Sequence, residues 1–280
     1  MKLIVLGSGT SHGIPVLGCD CAVCRSPDPK DKRMRASLYI EGNSGEAAVI
    51  DTGPEFRLQA LRAGIRRLDA VFLTHAHADH LHGLDDVRPL SQEKPLPVYC
   101  DRPALEELKE RFSYVFKITQ RGGGKPNIIP AEIAAPAPGV WIAVNIGNLR
   151  LSPIPVKHGA LDILGWRIDE GGSSQADDST RTAVYLTDTS AIPDTSLPLI
   201  GSPEILIIDG LRTKPHETHF NFEQALHTAL GLGAKQVFLT HICHDYTHQK
   251  IEEYCRNFMQ ERELKGISMG PAFDGLELEL

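Results

Sequence analysis

The segment Thr74-His75-Ala76-His77-Ala78-Asp79-His80 sets three imidazoles and a carboxylate within six positions, directly after the apolar run Val71-Phe72-Leu73. At the end of a buried strand each of these groups needs a partner to offset its desolvation. A metal ion supplies one. Imidazole with carboxylate suits zinc, manganese or iron, and three or four protein ligands with an open position suit catalysis rather than scaffolding. The competing explanation is a solvated His-rich loop.

A second cluster, Cys19-Asp20-Cys21-Ala22-Val23-Cys24, is read through its compartment. The apolar run Leu3 to Leu6 is too short for the core of a signal peptide, and no stretch approaches the 18 or so apolar residues of a membrane span. A reducing cytoplasm is therefore expected, where a disulfide framework is disfavoured. Three thiolates so close favour a closed structural zinc site that still wants a fourth ligand. Cys100 and Cys255 fall in an expected strand and helix, as small buried hydrophobes.

The pentapeptide Val-Phe-Leu-Thr-His stands at 71–75 and again at 237–241, with the variant Val184-Tyr185-Leu186-Thr187-Asp188 between them. Three apolar strands delivering His75, Asp188 and His241 to the same sheet edge build a site on rigid elements. Chance recurrence of a common strand pattern is the alternative.

These elements belong to an alternating α and β pattern. Periodicity predicts strands at Lys2 to Leu6, Ala36 to Ile40, Ala47 to Ile50, Ala70 to Leu73, Leu96 to Tyr99, Leu149 to Ile154, Ala183 to Leu186, Ile205 to Ile208 and Gln236 to Leu239. It predicts helices at Glu55 to Ala63, Arg102 to Arg111, Phe222 to Leu230 and Asp245 to Leu264. Arg121 to Gly139 and Asp169 to Ser179 read as irregular surface loops: lids, substrate walls or plain insertions. A chain of 280 residues without a linker-like tract is expected to form one domain over 1–280. Its net charge of -7 opposes a general nucleic-acid binder.

The order His75-x-His77-x-Asp79-His80 after a strand, then His158, Asp188 and His241, resembles the metallo-β-lactamase hydrolases from Gly7 to His244. The resemblance implies an α+β fold, an αββα sandwich of two mixed sheets flanked by helices. It implies two divalent ions, Zn2+ or Mn2+, in the active site. His75, His77 and His158 would hold the first, Asp79, His80 and His241 the second, and Asp188 would bridge them. His82 falls outside the pattern, as a supporting or surface histidine.

Gly7-Ser8-Gly9-Thr10 followed by the Cys-rich loop at 18–25 is similar to the PhnP-type cyclic phosphodiesterases. There the three cysteines bind a structural Zn2+ completed by a histidine three residues after the last catalytic histidine, which here is His244. Cys243 competes for that place because thiolate is the softer donor. The resemblance gives His219 the protonation of the leaving oxygen, with a pKa near neutrality. His216 lies three residues earlier, and a loop role is open to either. Asp51 resembles an aspartate that braces the ligand histidines; an ordinary Asp-Thr-Gly turn is its alternative.

The implied activity is metal-assisted hydrolysis of a phosphoric diester, with Asp188 and His219 as catalytic residues. Small cyclic phosphates of the ribose cyclic phosphate or 2',3'-cyclic nucleotide type are the expected substrates, and a homodimer the expected assembly. Neither a membrane nor a large nucleic acid is an expected partner. Two rivals remain. Arg111 to Phe116 resembles the tRNA 3'-end processing endonuclease, and the cysteine cluster is comparable to that of PqqB, a non-hydrolytic metal protein of quinone-cofactor biosynthesis. A thioester hydrolase is also open within the superfamily.

Overall fold

Apolar runs punctuated by Gly, Pro and Asp form the strands of this chain, whose computed structural model describes residues 1–117, 124–134, 136, 140–171 and 181–280. In chain order the strands are β1 (Lys2–Gly7), β2 (Ser37–Glu41), β3 (Ala47–Ile50), β4 (Ala70–Phe72), β5 (Leu96–Cys100), β6 (Ile128–Glu132), β7 (Val144–Ile146), β8 (Leu149–His158), β9 (Leu161–Glu170), β10 (Thr182–Leu186), β11 (Ile205–Asp209), β12 (Gln236–Thr240), β13 (Ser268–Pro271) and β14 (Glu277–Glu279). The helices are α1 (Phe56–Arg62), α2 (Ala78–Leu81), α3 (Arg102–Arg111), α4 (Ser113–Phe116), α5 (Leu197–Ile200), α6 (Phe222–Gly231) and α7 (His248–Glu261).

The strands pair into two mixed sheets, ordered β14-β1-β2-β3-β4-β5-β6 and β13-β12-β11-β10-β9-β8-β7. In the first, β3 to β6 run parallel; in the second, β10 to β13 do. Leu3, Ile40, Phe72, Trp166, Tyr185 and Ile207 share the core between the sheets. Val71, Val98 and Leu108 pack under the outer helices of the first sheet, and Leu206, Val237, Phe222 and Ile251 under α6 and α7 on the second. Helix, sheet, sheet and helix layers follow, as an αββα sandwich.

Several boundaries differ from the sequence reading for physical reasons. The sequence reading ends this strand at Ile154, before Pro155, yet β8 continues to His158. Beyond Leu151 it pairs with β9 and no longer with β7, so prolines sit on an open edge where a missing N–H is tolerated. Strand β9 went unread because Arg167 and Asp169 interrupt its apolar pattern; buried together, they bond to each other at 3.0 Å. The stretch 121–139 is not all irregular, since β6 lies within it and adds to the parallel sheet beside β5. Asp169 and Glu170 likewise end β9, and 172–180 fall outside the described residues. Helix α7 starts later than Asp245 because the Thr247 hydroxyl caps it, accepting from the Lys250 amide.

Candidate metal centre

The carboxyl ends of the parallel strands converge at one end of the sandwich. Asp51 follows β3, Asp188 lies two residues after β10, Asp209 ends β11, and His241 follows β12. His75 leaves the first sheet just beyond β4, and His158 ends β8. The echoed strands therefore do not deliver their residues to one sheet edge: β4 belongs to the first sheet and β10 and β12 to the second. Their ends meet across the sandwich. Asp51, Asp188 and His241 have φ of 62°, 54° and 56°, left-handed conformations that cost about 1–3 kcal/mol each and concentrate at functional sites.

Two groups of donors result. His75, His77 and His158 bring one ring nitrogen each within 4.8 Å of one another, and Asp79, His80, Asp188 and His241 form a second group by the same measure. Asp188 faces two ways. Its Oδ2 lies 3.2 Å from His80 Nε2 and its Oδ1 3.2 Å from His241 Nε2. Ligand atoms around one ion with bonds near 2.1 Å stand roughly 3.0–3.4 Å apart, so these spacings fit shared coordination. Asp188 also groups with His158 and His219.

The surroundings orient the rings. His80 Nδ1 lies 2.7 Å from Asp51 Oδ2, and Asp51 also accepts from the amide and hydroxyl of Thr74 at 2.8 Å each. His75 Nδ1 meets the Thr74 hydroxyl at 3.0 Å, and His158 Nδ1 the Thr218 carbonyl at 2.8 Å. The Thr187 hydroxyl donates to Asp188 Oδ2 at 2.7 Å. Among the described residues, the buried Nε2 atoms of His75 and His80 have no hydrogen-bond partner, and neither ring nitrogen of His241 has one. Orphaned imidazole nitrogens at adjacent carboxylates are what a divalent cation requires, so the residues fit a metal pair.

The facing charges of the donors shift one another's protonation. Burial opposes ionisation of Asp79, but the facing His80 and His241 outweigh it and hold the carboxyl well below its usual range. Burial likewise opposes charge on His80, yet Asp188, Asp79 and Asp51 hold its pKa well above normal. His75, His77 and His158 are pushed down, chiefly by burial.

His219 lies against both groups, its ring centroid 4.8 Å from that of His158 and 4.7 Å from that of His241. Its Nδ1 lies 2.7 Å from Asp209 Oδ2. Asp209 escaped the sequence reading. A signal existed, because Ile207-Ile208-Asp209-Gly210 repeats the apolar strand, Asp and Gly of Val49-Ile50-Asp51-Thr52-Gly53. The near-neutral pKa expected for His219 is not found: burial, then the neighbouring His241, push it down to about 4. His216 is exposed, 5.1 Å from the His219 ring, and accepts from the Thr218 amide. His82 is an exposed neighbour of Arg111.

The second site forms where the loop at 18–25 packs on the segment after β12. The sulfurs of Cys19, Cys21 and Cys24 lie 3.4, 3.5 and 3.4 Å from His244 Nδ1. Tetrahedral zinc with Zn–S of about 2.3 Å and Zn–N of about 2.1 Å requires an edge of about 3.5 Å. Cys243 stands apart from the group, a buried thiol whose pKa burial raises to about 11. Of the two residues that competed for the fourth position, His244 is the one grouped with the three thiols.

Comparisons with known proteins agree with this fold. The profile of the Beta-lactamase superfamily domain matches residues 48–242. A Porphyromonas gingivalis protein named octanoyltransferase is 39% identical over 278 residues, 99% of this chain, which spans only 51% of that relative's length. The crystal structure of a diphosphatase from the PhnP family is 38% identical, with a TM-score of 0.81 over 100% of this chain and 97% of that one. Zinc-bound PqqB from Methylobacterium extorquens has a TM-score of 0.77 at 17% identity, covering 100% of both chains, a likeness of fold alone.

Proposed function

The chain belongs to the beta-lactamase superfamily and to its PhnP family, and on that ground we propose a binuclear metal-dependent phosphoric diester hydrolase acting on small cyclic phosphates, of the ribose cyclic phosphate or 2',3'-cyclic nucleotide type. The observation that carries the reading is Asp188, whose two oxygens each face a histidine of the site while the carboxylate also groups with His158. His75, His77 and His158 would hold one ion, Asp79, His80 and His241 the other, and Asp188 would bridge. Such a pair supplies water deprotonated near neutral pH and stabilises charge on phosphoryl oxygens.

The remaining steps fall to the chain. Asp51 and Thr74 keep the His80 and His75 rings in place. His219, steadied by Asp209, gives its proton to the departing oxygen. Burial disfavours the charged imidazole, and a bound phosphodiester anion beside it offsets that penalty. Cys19, Cys21, Cys24 and His244 would hold a third ion, which would tie the loop to the segment after β12.

A second reading, hydrolysis of a diphosphate ester, has support from the 38% identical relative described as a diphosphatase. Acyl transfer has less. This chain spans about half of the relative named octanoyltransferase, and its six cysteines are either in the zinc group or buried. The charge of -7 weighs against a tRNA substrate, and the bridged donor pair against a PqqB-like carrier.

The test is a hydrolysis screen of the Zn2+- or Mn2+-loaded protein on 2',3'-cyclic nucleotides, bis-p-nitrophenyl phosphate, diphosphate esters and thioesters. Turnover of phosphoric esters, abolished in Asp188→Ala, is expected. Activity confined to thioesters contradicts the reading.

A further inference from the structure

A cavity of about 430 Å³ lies on the outer flank of the first sheet, between α1 and the 3-10 segment Leu84–Ser91. Small-molecule sites span about 300–1,000 Å³, and among the described residues none of the metal-binding side chains lines this one. Ala60, Leu61, Ile65, Pro89 and Leu90 give it an apolar lining, with Leu61 62% exposed. Three guanidiniums, those of Arg57, Arg66 and Arg88, stand around that lining.

These arginines differ from others in the chain. Arg25, Arg35, Arg62, Arg67, Arg102 and Arg262 each pair with a carboxylate. Arg57, Arg66 and Arg88 pair with none among the described residues, although Asp85 and Asp86 share their cavity. Arg88 gives one Nη1 hydrogen to the Gly124 carbonyl at 3.0 Å and keeps the rest of its fork. Asp85 accepts from the Tyr114 hydroxyl. Asp86 accepts no side-chain hydrogen bond among the described residues; burial, then Asp85, raise its carboxyl, and Arg57 and Arg88 act on it only as nearby charges.

On a chain of net charge -7, unpaired guanidiniums around an apolar lining suit an anion that also has an apolar body. An inorganic anion makes no use of the lining, and a fatty acid makes no use of Asp86. A nucleoside monophosphate uses all three features. Its phosphate accepts from the forks, its base covers the apolar side chains and stacks on a guanidinium plane, and a hydroxyl or amino group donates to Asp86.

The two walls are joined to the metal loop at their base. The Thr52 amide donates to the His80 carbonyl at 2.7 Å, and the Gly83 amide to the Thr52 carbonyl at 2.8 Å. Helix α1 and the 3-10 segment both begin within a few residues of these bonds. A ligand held by both walls therefore steadies the backbone behind Asp51 and His80.

We infer that this cavity is a ligand site separate from the metal centre, that it takes a nucleoside monophosphate, and that its occupant steadies the loop carrying His80. The inference goes beyond the hydrolysis proposed above and does not depend on it.

Equilibrium dialysis of the full metal-loaded chain tests it, using AMP, GMP and UMP against the fragments adenosine, ribose 5-phosphate and inorganic phosphate, with hydrogen exchange to locate the ligand. At least one nucleotide should bind saturably and about tenfold or more tighter than every fragment, because each fragment lacks one set of contacts. Arg57→Gln combined with Arg66→Gln should weaken that nucleotide about tenfold or more, and Asp86→Asn about threefold. Tm should stay unchanged, since Arg57 and Arg66 are exposed and Asp86 is half-buried. The bound nucleotide should slow exchange in segments 57–65 and 84–90 and at the Thr52 and Gly83 amides. Wild-type affinity in the double variant, or protection confined to 75–80 with binding lost in Asp188→Ala, places the nucleotide at the metal ions and overturns the site. Ribose 5-phosphate or inorganic phosphate binding as tightly as every nucleotide overturns the ligand class, and no binding by any of the six overturns the inference whole.

Discussion

Asp209 Oδ2 lies 2.7 Å from His219 Nδ1, with the carboxylate fully buried at the end of β11. The pair mirrors Asp51 on His80, also 2.7 Å, at the end of β3. Each sheet thus contributes one strand-end aspartate that fixes a histidine of the site. Asp209→Asn should lower kcat roughly 10- to 100-fold, as loss of an orienting partner commonly does. Metal content should remain unchanged. Wild-type kcat in this variant, measured on a cyclic nucleotide, would remove Asp209 from the machinery.

The role of His219 is separable from that of the metal donors through the leaving group. His219→Ala should cost about 10²- to 10⁴-fold on a cyclic nucleotide, whose departing alkoxide needs a proton. On bis-p-nitrophenyl phosphate the cost should be under about tenfold, because p-nitrophenolate leaves without help. Equal losses on both substrates would mean that His219 positions rather than protonates.

Acid should strip the two donor groups in a set order. Burial keeps His75, His77 and His158 below their ordinary pKa, so few protons compete with a metal there. His80 and His241 are buried too, but facing carboxylates, Asp188 foremost, raise them, so each holds its proton to higher pH and a metal must displace it. Affinity at Asp79, His80 and His241 therefore falls first as pH drops through those raised values. Metal analysis after dialysis across pH 8 to 5 should show one equivalent leaving before the other. Simultaneous release would contradict the assignment of the two groups.

The cysteine group ties an N-terminal loop to the segment just after β12, and Arg33 adds a buried clamp by donating to the Cys243 carbonyl at 2.8 Å. His244→Ala should remove one zinc equivalent that mild chelation leaves in the wild type. Loss of the closure should cost about 3–5 kcal/mol and lower Tm by roughly 10 °C. An unaltered zinc count with an unaltered Tm would show that another residue completes the site.

The parts of the site legible in the sequence are those packed into short, chemically costly runs. His75 to His80 and Cys19 to Cys24 put several metal-binding side chains within a few positions, where solvated or buried alternatives need many unlikely partners. His158 and Asp188 are single polar residues after apolar strands, and they emerged through resemblance and the Val-Tyr-Leu-Thr-Asp echo. Asp209 looked like the end of an ordinary strand, because its significance lies in a partner ten residues away that only the fold brings close. Thr187 and Thr218 act through one hydroxyl and one carbonyl, groups that every chain carries in abundance. In the fold, strands with uninterrupted apolar runs were readable and β8 was read as far as Ile154, before Pro155, whereas β9 hid behind a buried Arg167 and Asp169 pair.

The central claim is that donors from both sheets hold paired cations bridged by Asp188. Anomalous X-ray scattering from a crystal of the metal-loaded protein, recorded at the zinc or manganese edge, tests it most directly. Two peaks flanking Asp188 and a third among Cys19, Cys21, Cys24 and His244 are predicted. A single peak at the histidine cluster, or one that leaves Asp188 uncoordinated, would contradict the account.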